Sequence, residues 1–406
     1  MRILFIAMAD SIHTVRWINQ IADQGWDIHL FPSQDSDIHP ELRNVTIHDR
    51  LVHSDKARLR VKQRKSLPWP FPGDVELVNK VFNRLRRVEL APLMPNRSQR
   101  LRRLIDRIKP DIVHSLEIQY SGYTTLSAME ARKTKFPTWI VTNWGSDLYL
   151  YHRLPGHADK IKTVLDACDY YACECCRDIN LAYEYGLCRG KELPVFPNTG
   201  GFDFNAIMPL KKKGKISERR LIMLKGYQHW AGRALAGIRA LSRCPEILTG
   251  YTVAIFSANP DVIIAAELFS ESSGIPVQII PKNTPHIDIL RFHGQAKISI
   301  GLSISDAIST SLLEAMVMGS FPIQSCTSCA DEWIVDGKTG FLVPPEDPEI
   351  IEIAIRRALM DDDLVNRAAE ENFRICKERL DYDLLKSKTI EMYLTVAREK
   401  KSQYAT

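Results

Sequence analysis

An α/β fold built from two successive doubly wound units is predicted by three features of the 406-residue sequence. Short β-rich runs alternate with helical patterns almost throughout, the mark of parallel strands joined by crossover helices. The alternation breaks over a polar, aperiodic stretch from Pro197 to Arg219 and then restarts. The length also exceeds one typical core, at ~100 to 200 residues per domain. The predicted division is a first domain at 1–200, a linker at 201–219, a second domain at 220–380 and a last helix, 381–406, expected back on the first domain.

In the first unit the expected strands are "RILFIA", "DIHLF", "DIVHS", "TWIVTN", "YYACE" and "LPVFPN", with "TVRWINQIADQG" as the first helix. The second begins with strand "RLIMLKG" and helix "AGRALAGIRALSRC". Strand "YTVAIFSA", a helix from about Pro260, strand "PVQII", helix "HIDILRFHG" and strand "KISIGLSI" follow, then "FPIQS", "TGFLVPPED" and helices to the end. No G-x-G-x-x-G closes either first strand, so the dinucleotide fingerprint is missing.

Apolar (45%) and charged (25%) fractions place the chain in the soluble globular class. "MRILFIAMAD" is too short for a signal peptide and far below the ~20 residues of a membrane span. Nine cysteines, an odd and scattered count, point to reduced thiols and a cytoplasmic protein, with the cytoplasmic membrane face as a second expected place. "CECC" at Cys173 and "CTSC" at Cys326 together suggest zinc. The first ends an expected strand and no His completes a familiar spacing, so no metal is expected.

Charge is unevenly spread: residues 56–109 hold 16 Lys or Arg against 4 Asp or Glu, interleaved with Trp69, Phe71 and Leu85. Such a segment suits peripheral contact with an anionic lipid surface, or a phosphorylated acceptor, as well as a plain solvated helix pair. Nucleic acid is not an expected partner, since no helix-turn-helix, finger or RNP pattern accompanies the charge.

The chemistry concentrates in "SISDAISTSLLEAMVMGSFPIQS", Ser303 to Ser325. Asp306 follows the strand "KISIGLSI", a hydroxyl-rich helix mouth follows Asp306, and Glu314 lies on the helix. Ser311 with Glu314 fits an S-x-x-E capping box. A helix mouth is also an anion site, because its unpaired N–H groups and its dipole attract phosphate. In doubly wound sheets ligands sit beyond the carboxyl ends of the strands, which is where this stretch falls.

Asp306, seven residues, Glu314 and then "AMVMGSFPI" match the E-x7-E and A-M-A-x-G-x-P-V mark of the family 4 retaining glycosyltransferases, and the chain resembles that family. "ADEWIVDGKTGFLVPPEDPE" extends the likeness, and "SIHTVRWINQIADQGWDIHLF" and "TNWGSDLYL" carry it more weakly into the first half. The resemblance implies a GT-B fold, two doubly wound Rossmann-like domains facing a central cleft. It also implies transfer of a sugar from a nucleotide-diphosphate sugar, a UDP-sugar first among donors, to a glycan or lipid-linked acceptor in surface polysaccharide or glycoconjugate synthesis. No cofactor is implied.

By the same resemblance Glu314 would bind ribose hydroxyls, Asp306 would contact donor-sugar hydroxyls, and the N–H groups around Ser309, Thr310 and Ser311 would hold phosphate or sugar oxygens. The family's G-R-x-x-x-x-K-G appears as "KGYQHWAGR", so Lys225 and Arg233 flank the loop after Gly226 where the diphosphate's two cations belong. With no clear Asp-x-Asp metal motif, these cations would replace a divalent ion. Asp306 is one methylene shorter than the family's Glu, and Ser309 replaces a Gly. Trp144 stands where the family often has a His, which leaves Gly145 and Asp147, with His13 and His114, as candidates for acceptor or sugar contacts. A non-catalytic nucleotide-sugar or glycan binding protein and a sugar-nucleotide epimerase are the alternative readings.

Overall fold

The computed structural model describes residues 1–48, 96–132, 134–198 and 200–403. It divides into two compact units: the first takes in Met1–Cys173, Ile179–Thr199 and Lys388–Thr406, the second Glu174–Asp178 and Gly200–Ser387. Much of the basic segment, residues 56–95 with Trp69, Phe71 and Leu85, lies outside the described residues. Its end forms the helix Arg97–Ile108, started by a capping box between Asn96 and Gln99. Among the described residues no helix is long and apolar enough to cross a membrane.

The first unit is built on a sheet of strands β1 (Arg2–Ala7), β2 (Asp27–Pro32), β3 (Thr46–Ile47), β4 (Ile112–Leu116), β5 (Thr138–Thr142) and β6 (Tyr170–Ala172), in the order β3-β2-β1-β4-β5-β6. Every pairing is parallel. Ile3, Leu4, Phe5 and Ile6 of β1 are fully buried, as expected of a parallel strand covered by helices on both faces. Strand order reverses between β1 and β4, which makes their carboxyl ends the switch point of this sheet.

The second unit repeats the plan with β7 (Leu221–Lys225), β8 (Thr252–Phe256), β9 (Val277–Ile279), β10 (Ala296–Gly301), β11 (Phe321–Ser325) and β12 (Phe341–Val343), ordered β12-β11-β10-β7-β8-β9. These pairings too are parallel. Ile222, Leu224, Ile298, Ile300, Phe321 and Ile323 join one core. Here the switch point lies between β7 and β10.

Two expected elements differ. "LPVFPN" is not a strand: Pro194 and Pro197 have no N–H to give a ladder, and only an isolated bridge between Tyr171 and Glu192 remains nearby. "KISIGLSI" ends as a strand at Gly301, and its last residues open the loop that carries Asp306. The polar stretch after Gly200 packs within the second unit, where buried Arg219 donates to the carbonyls of Ala296 and Met318.

His114, on β4, is fully buried in the first unit. Its Nδ1 meets Tyr393 Oη at 2.6 Å and its Nε2 meets Thr142 Oγ1 at 2.6 Å, while Trp17 Nε1 donates to the same Tyr393 hydroxyl at 2.8 Å. Burial holds its pKa down to about 3, so the folded state keeps it neutral. Because the folded pKa lies below the unfolded one, this contribution is complete above about pH 6.5 and shrinks as pH falls toward 3, by about 1.4 kcal/mol per pH unit. We expect the urea midpoint to fall with pH in that window and His114→Asn to flatten the fall. An unchanged slope in the variant would mean that this imidazole is already charged in the folded protein.

Candidate active site

In the second unit, Lys225 closes β7 beside β10, and the loop after Gly301 leads to the helix Thr310–Met318. Ser309 is the N-cap of that helix, in extended backbone, yet its side chain bonds none of the first-turn amides. Its Oγ instead receives a hydrogen bond from Lys225 Nζ at 3.3 Å and pairs with Ser311 Oγ at 2.9 Å. The Lys225 ammonium also lies 4.7 Å from the centre of the Tyr227 ring. A cation, two hydroxyls and the positive end of a helix thus meet at the switch point, an arrangement suited to a phosphate. The helix ends at Gly319, whose φ of +84° is the left-handed conformation of a glycine C-cap.

The S-x-x-E capping box is not formed. With Ser309 as N-cap, Glu314 sits too far along the helix to reach back to the cap amide. Its buried carboxylate turns to His286 Nε2, 2.6 Å away, and to His293 Nε2 at 3.8 Å. His293 also contacts Ser299 Oγ, and burial lowers its pKa to about 4, partly offset by Glu314.

Two glycines shape the loop after β7. A Cβ on Gly226 would stand 2.6 Å from the Ala258 backbone, and one on Gly232 would stand 2.3 Å from the Tyr227 carbonyl oxygen. No side chain fits either place, so the chain between them folds back on itself. Gln228 N bonds Asn259 Oδ1 and Ile304 N bonds Ala231 O, which ties the loop to the strand ends. His229 accepts from Ala231 N through Nδ1, and burial, then Lys225 and Arg233, lower its pKa. Trp230, at the tip, is 55% exposed.

Arg233, the second cation expected on this loop, is held by partners of its own. Its Nε donates to Glu346 at 2.7 Å and its Nη1 to the carbonyls of His229 and Gly232. Asp306 is held through its main chain, whose carbonyl accepts from Arg177 Nη2 at 2.8 Å. Its carboxylate has no hydrogen-bond partner among the described residues.

The candidates of the first unit separate. His114 is a correction: it is enclosed, with both ring nitrogens engaged, and reaches no surface where a sugar could touch it. Asp147 is buried, and its Oδ2 accepts from the amides of Ile118 and Trp144, joining the ends of β4 and β5. Gly145 takes a φ of +90° and donates to Asn143 Oδ1. His13, by contrast, is partly exposed and stands 5.6 Å from the Trp144 ring.

Comparison with known proteins agrees with this architecture. The family profile of Glycosyl transferases group 1 matches residues 267–374, and that of Glycosyl transferase 4-like matches residues 2–62 and 82–173. The chain belongs to the GT4-like glycosyltransferases. A search of curated proteins finds no match. Among solved structures, this glycosyltransferase is similar to a sucrose-phosphate synthase from Thermosynechococcus elongatus, with TM-score 0.68, 13% identity and coverage of 98% of this chain and 99% of that one. HepE of Anabaena in complex with UDP-glucose gives TM-score 0.67, 12% identity and coverage of 97% and 100%. An α,α-trehalose 6-phosphate synthase from Burkholderia multivorans gives 0.65, 12% identity and coverage of 100% and 99%. The fold is GT-B.

Several partners of the glycosyltransferase's candidate residues carry no local signal in the sequence. His286 and His293 look like ordinary residues of an amphipathic helix, and Glu346 like part of a turn. Only the three-dimensional pairing with Glu314 and Arg233 singles them out.

Proposed function

We propose that this glycosyltransferase is a retaining, metal-independent enzyme that moves a sugar from a nucleotide-diphosphate sugar to a glycan or lipid-linked acceptor, in surface polysaccharide or glycoconjugate synthesis. The observation that carries the reading is the contact of Lys225 with Ser309 at the mouth of Thr310–Met318, five residues ahead of the buried Glu314 carboxylate. In this reading Glu314 accepts hydrogen bonds from two ribose hydroxyls, and Asp306 and Ser309 contact donor sugar and phosphate. Departure of the nucleoside diphosphate builds negative charge on the β-phosphate. Lys225 and the first-turn amides then bind that charge more strongly than the ground state. Uridine is the first choice of base because the HepE structures hold UDP-glucose and UDP.

The bonding of Arg233 to Glu346 favours one second reading, a protein that binds a nucleotide-sugar without turning it over. Both readings meet one experiment: thermal shift against a panel of nucleotide-sugars, then nucleotide release from the best binder with glycan acceptors and with lipid-linked acceptors in anionic vesicles. A ligand of the folded state raises its stability. We expect a uridine donor to stabilise the protein and release UDP only with acceptor. Stabilisation without release leaves a binding protein, turnover without acceptor an epimerase, and no stabilisation by any donor removes the proposal.

A further inference from the structure

The two cysteine motifs, far apart in sequence, converge in the second unit. Cys175 Sγ lies 2.6 Å from Cys329 Sγ, across 154 residues of chain, and both are buried thiols that form no disulfide. Glu332 completes a group whose donor atoms lie within 4.8 Å of one another. The same carboxylate accepts from the amide of Cys176 at 2.8 Å. Around the pair, Arg177 donates to the carbonyls of Thr327 and Asp306, and Cys329 N donates to Ala307 O at 2.9 Å. The thiols therefore stand directly behind the loop that carries Asp306.

We propose that Cys175 and Cys329 are a thiol-oxidation site that closes to a disulfide under hydrogen peroxide and reopens with a reducing thiol. A metal ion is the competing use of these atoms. Two thiolates on one zinc, each at about 2.3 Å in tetrahedral geometry, stand roughly 3.7 Å apart. The observed approach is well inside that separation, and it suits two sulfurs about to bond. In the first step one sulfur, as thiolate, attacks a peroxide oxygen, giving a sulfenic acid and a hydroxide that takes up the thiol proton as water. The second sulfur then attacks the sulfenic sulfur, releasing a second water, so that two thiols and one peroxide give one disulfide and two waters. The neighbouring Cys329 sulfur and burial raise the Cys175 pKa, with Arg177 acting in the opposite sense. Oxidation is therefore slow at neutral pH and faster in alkali.

The test reads the bond itself and so stands apart from the reading of this protein as an enzyme. Whole protein is treated with peroxide, alkylated under denaturing conditions and digested with trypsin. Cys175 falls on the peptide 163–177, with Cys168, Cys173 and Cys176, and Cys329 on the peptide 298–338, with Cys326. We expect these two peptides to become linked, losing two hydrogens, and to separate on reduction. Linkage should vanish in Cys175→Ser and, separately, in Cys329→Ser, and should persist in Cys176→Ser and Cys326→Ser, whose thiols are exposed. No linkage at a dose that oxidises exposed Cys176 and Cys326 overturns the proposal. So does linkage surviving in Cys175→Ser or Cys329→Ser, or stoichiometric zinc on the purified protein that shields both thiols from alkylation.

Discussion

Replacing Lys225 with Ala is expected to cut sugar transfer on the order of 10²-fold, comparable to removing one preorganised donor from a developing charge. Its ammonium reaches Ser309 Oγ at the mouth of Thr310–Met318, where the family's leaving diphosphate would sit. Charge on the β-phosphate grows as the bond to the sugar breaks, so the loss should fall on kcat and kcat/KM together, with donor KM changing little. The lysine ends a strand whose apolar residues stay untouched, so the fold should persist. Arg233→Ala is expected to cost less, within about tenfold, because Glu346 and two carbonyls already occupy that guanidinium and a deletion removes a less preorganised donor. Steady-state kinetics on the two folded variants separates the roles. Full turnover in Lys225→Ala would mean that the diphosphate is held elsewhere.

Glu314→Gln should weaken nucleoside diphosphate binding by about 1 to 3 kcal/mol, the range for losing a charged hydrogen-bond acceptor. The carboxylate is buried, and its observed partners are two imidazoles rather than the helix cap. A purely structural role would therefore appear as a change in stability without a change in affinity. Gln preserves the size and one acceptor oxygen toward His286, so unfolding should shift only slightly. Calorimetry with UDP at fixed pH decides: equal affinity in both proteins assigns Glu314 to holding His286 in place and removes it from the donor site.

The fold was legible because its cause is local. Most strands are short apolar runs followed by a helix, and the Asp306–Glu314 spacing lies within one strand-to-helix turn. Legibility ended wherever two candidates competed for one geometric place. The pattern Ser311–Glu314 satisfies a capping box as written, but two hydroxyl residues, Ser309 and Thr310, directly precede it and the chain settled on Ser309. "LPVFPN" has the apolar content of a strand and lacks the N–H groups that one needs. Long-range pairs were closed to inspection: Arg233 meets Glu346 across 113 residues, and Arg177 meets Asp306 across 129. His114 lies in the expected strand "DIVHS" and reads as a candidate sugar contact, yet it is enclosed, because the residue that covers it arrives from the far end of the chain.

That last contact bears on the order in which the protein is made. His114 and Tyr393 are 279 residues apart, and synthesis at ~5–20 residues per second delivers the second roughly 14 to 56 seconds after the first. Throughout that interval the nascent first unit lacks the hydroxyl that joins Trp17 to His114. Its largest sequence segment leaves the ribosome early, yet its interior is finished among the last events of translation. The second unit has by then emerged entire, so the half that is begun first is the half that is completed last.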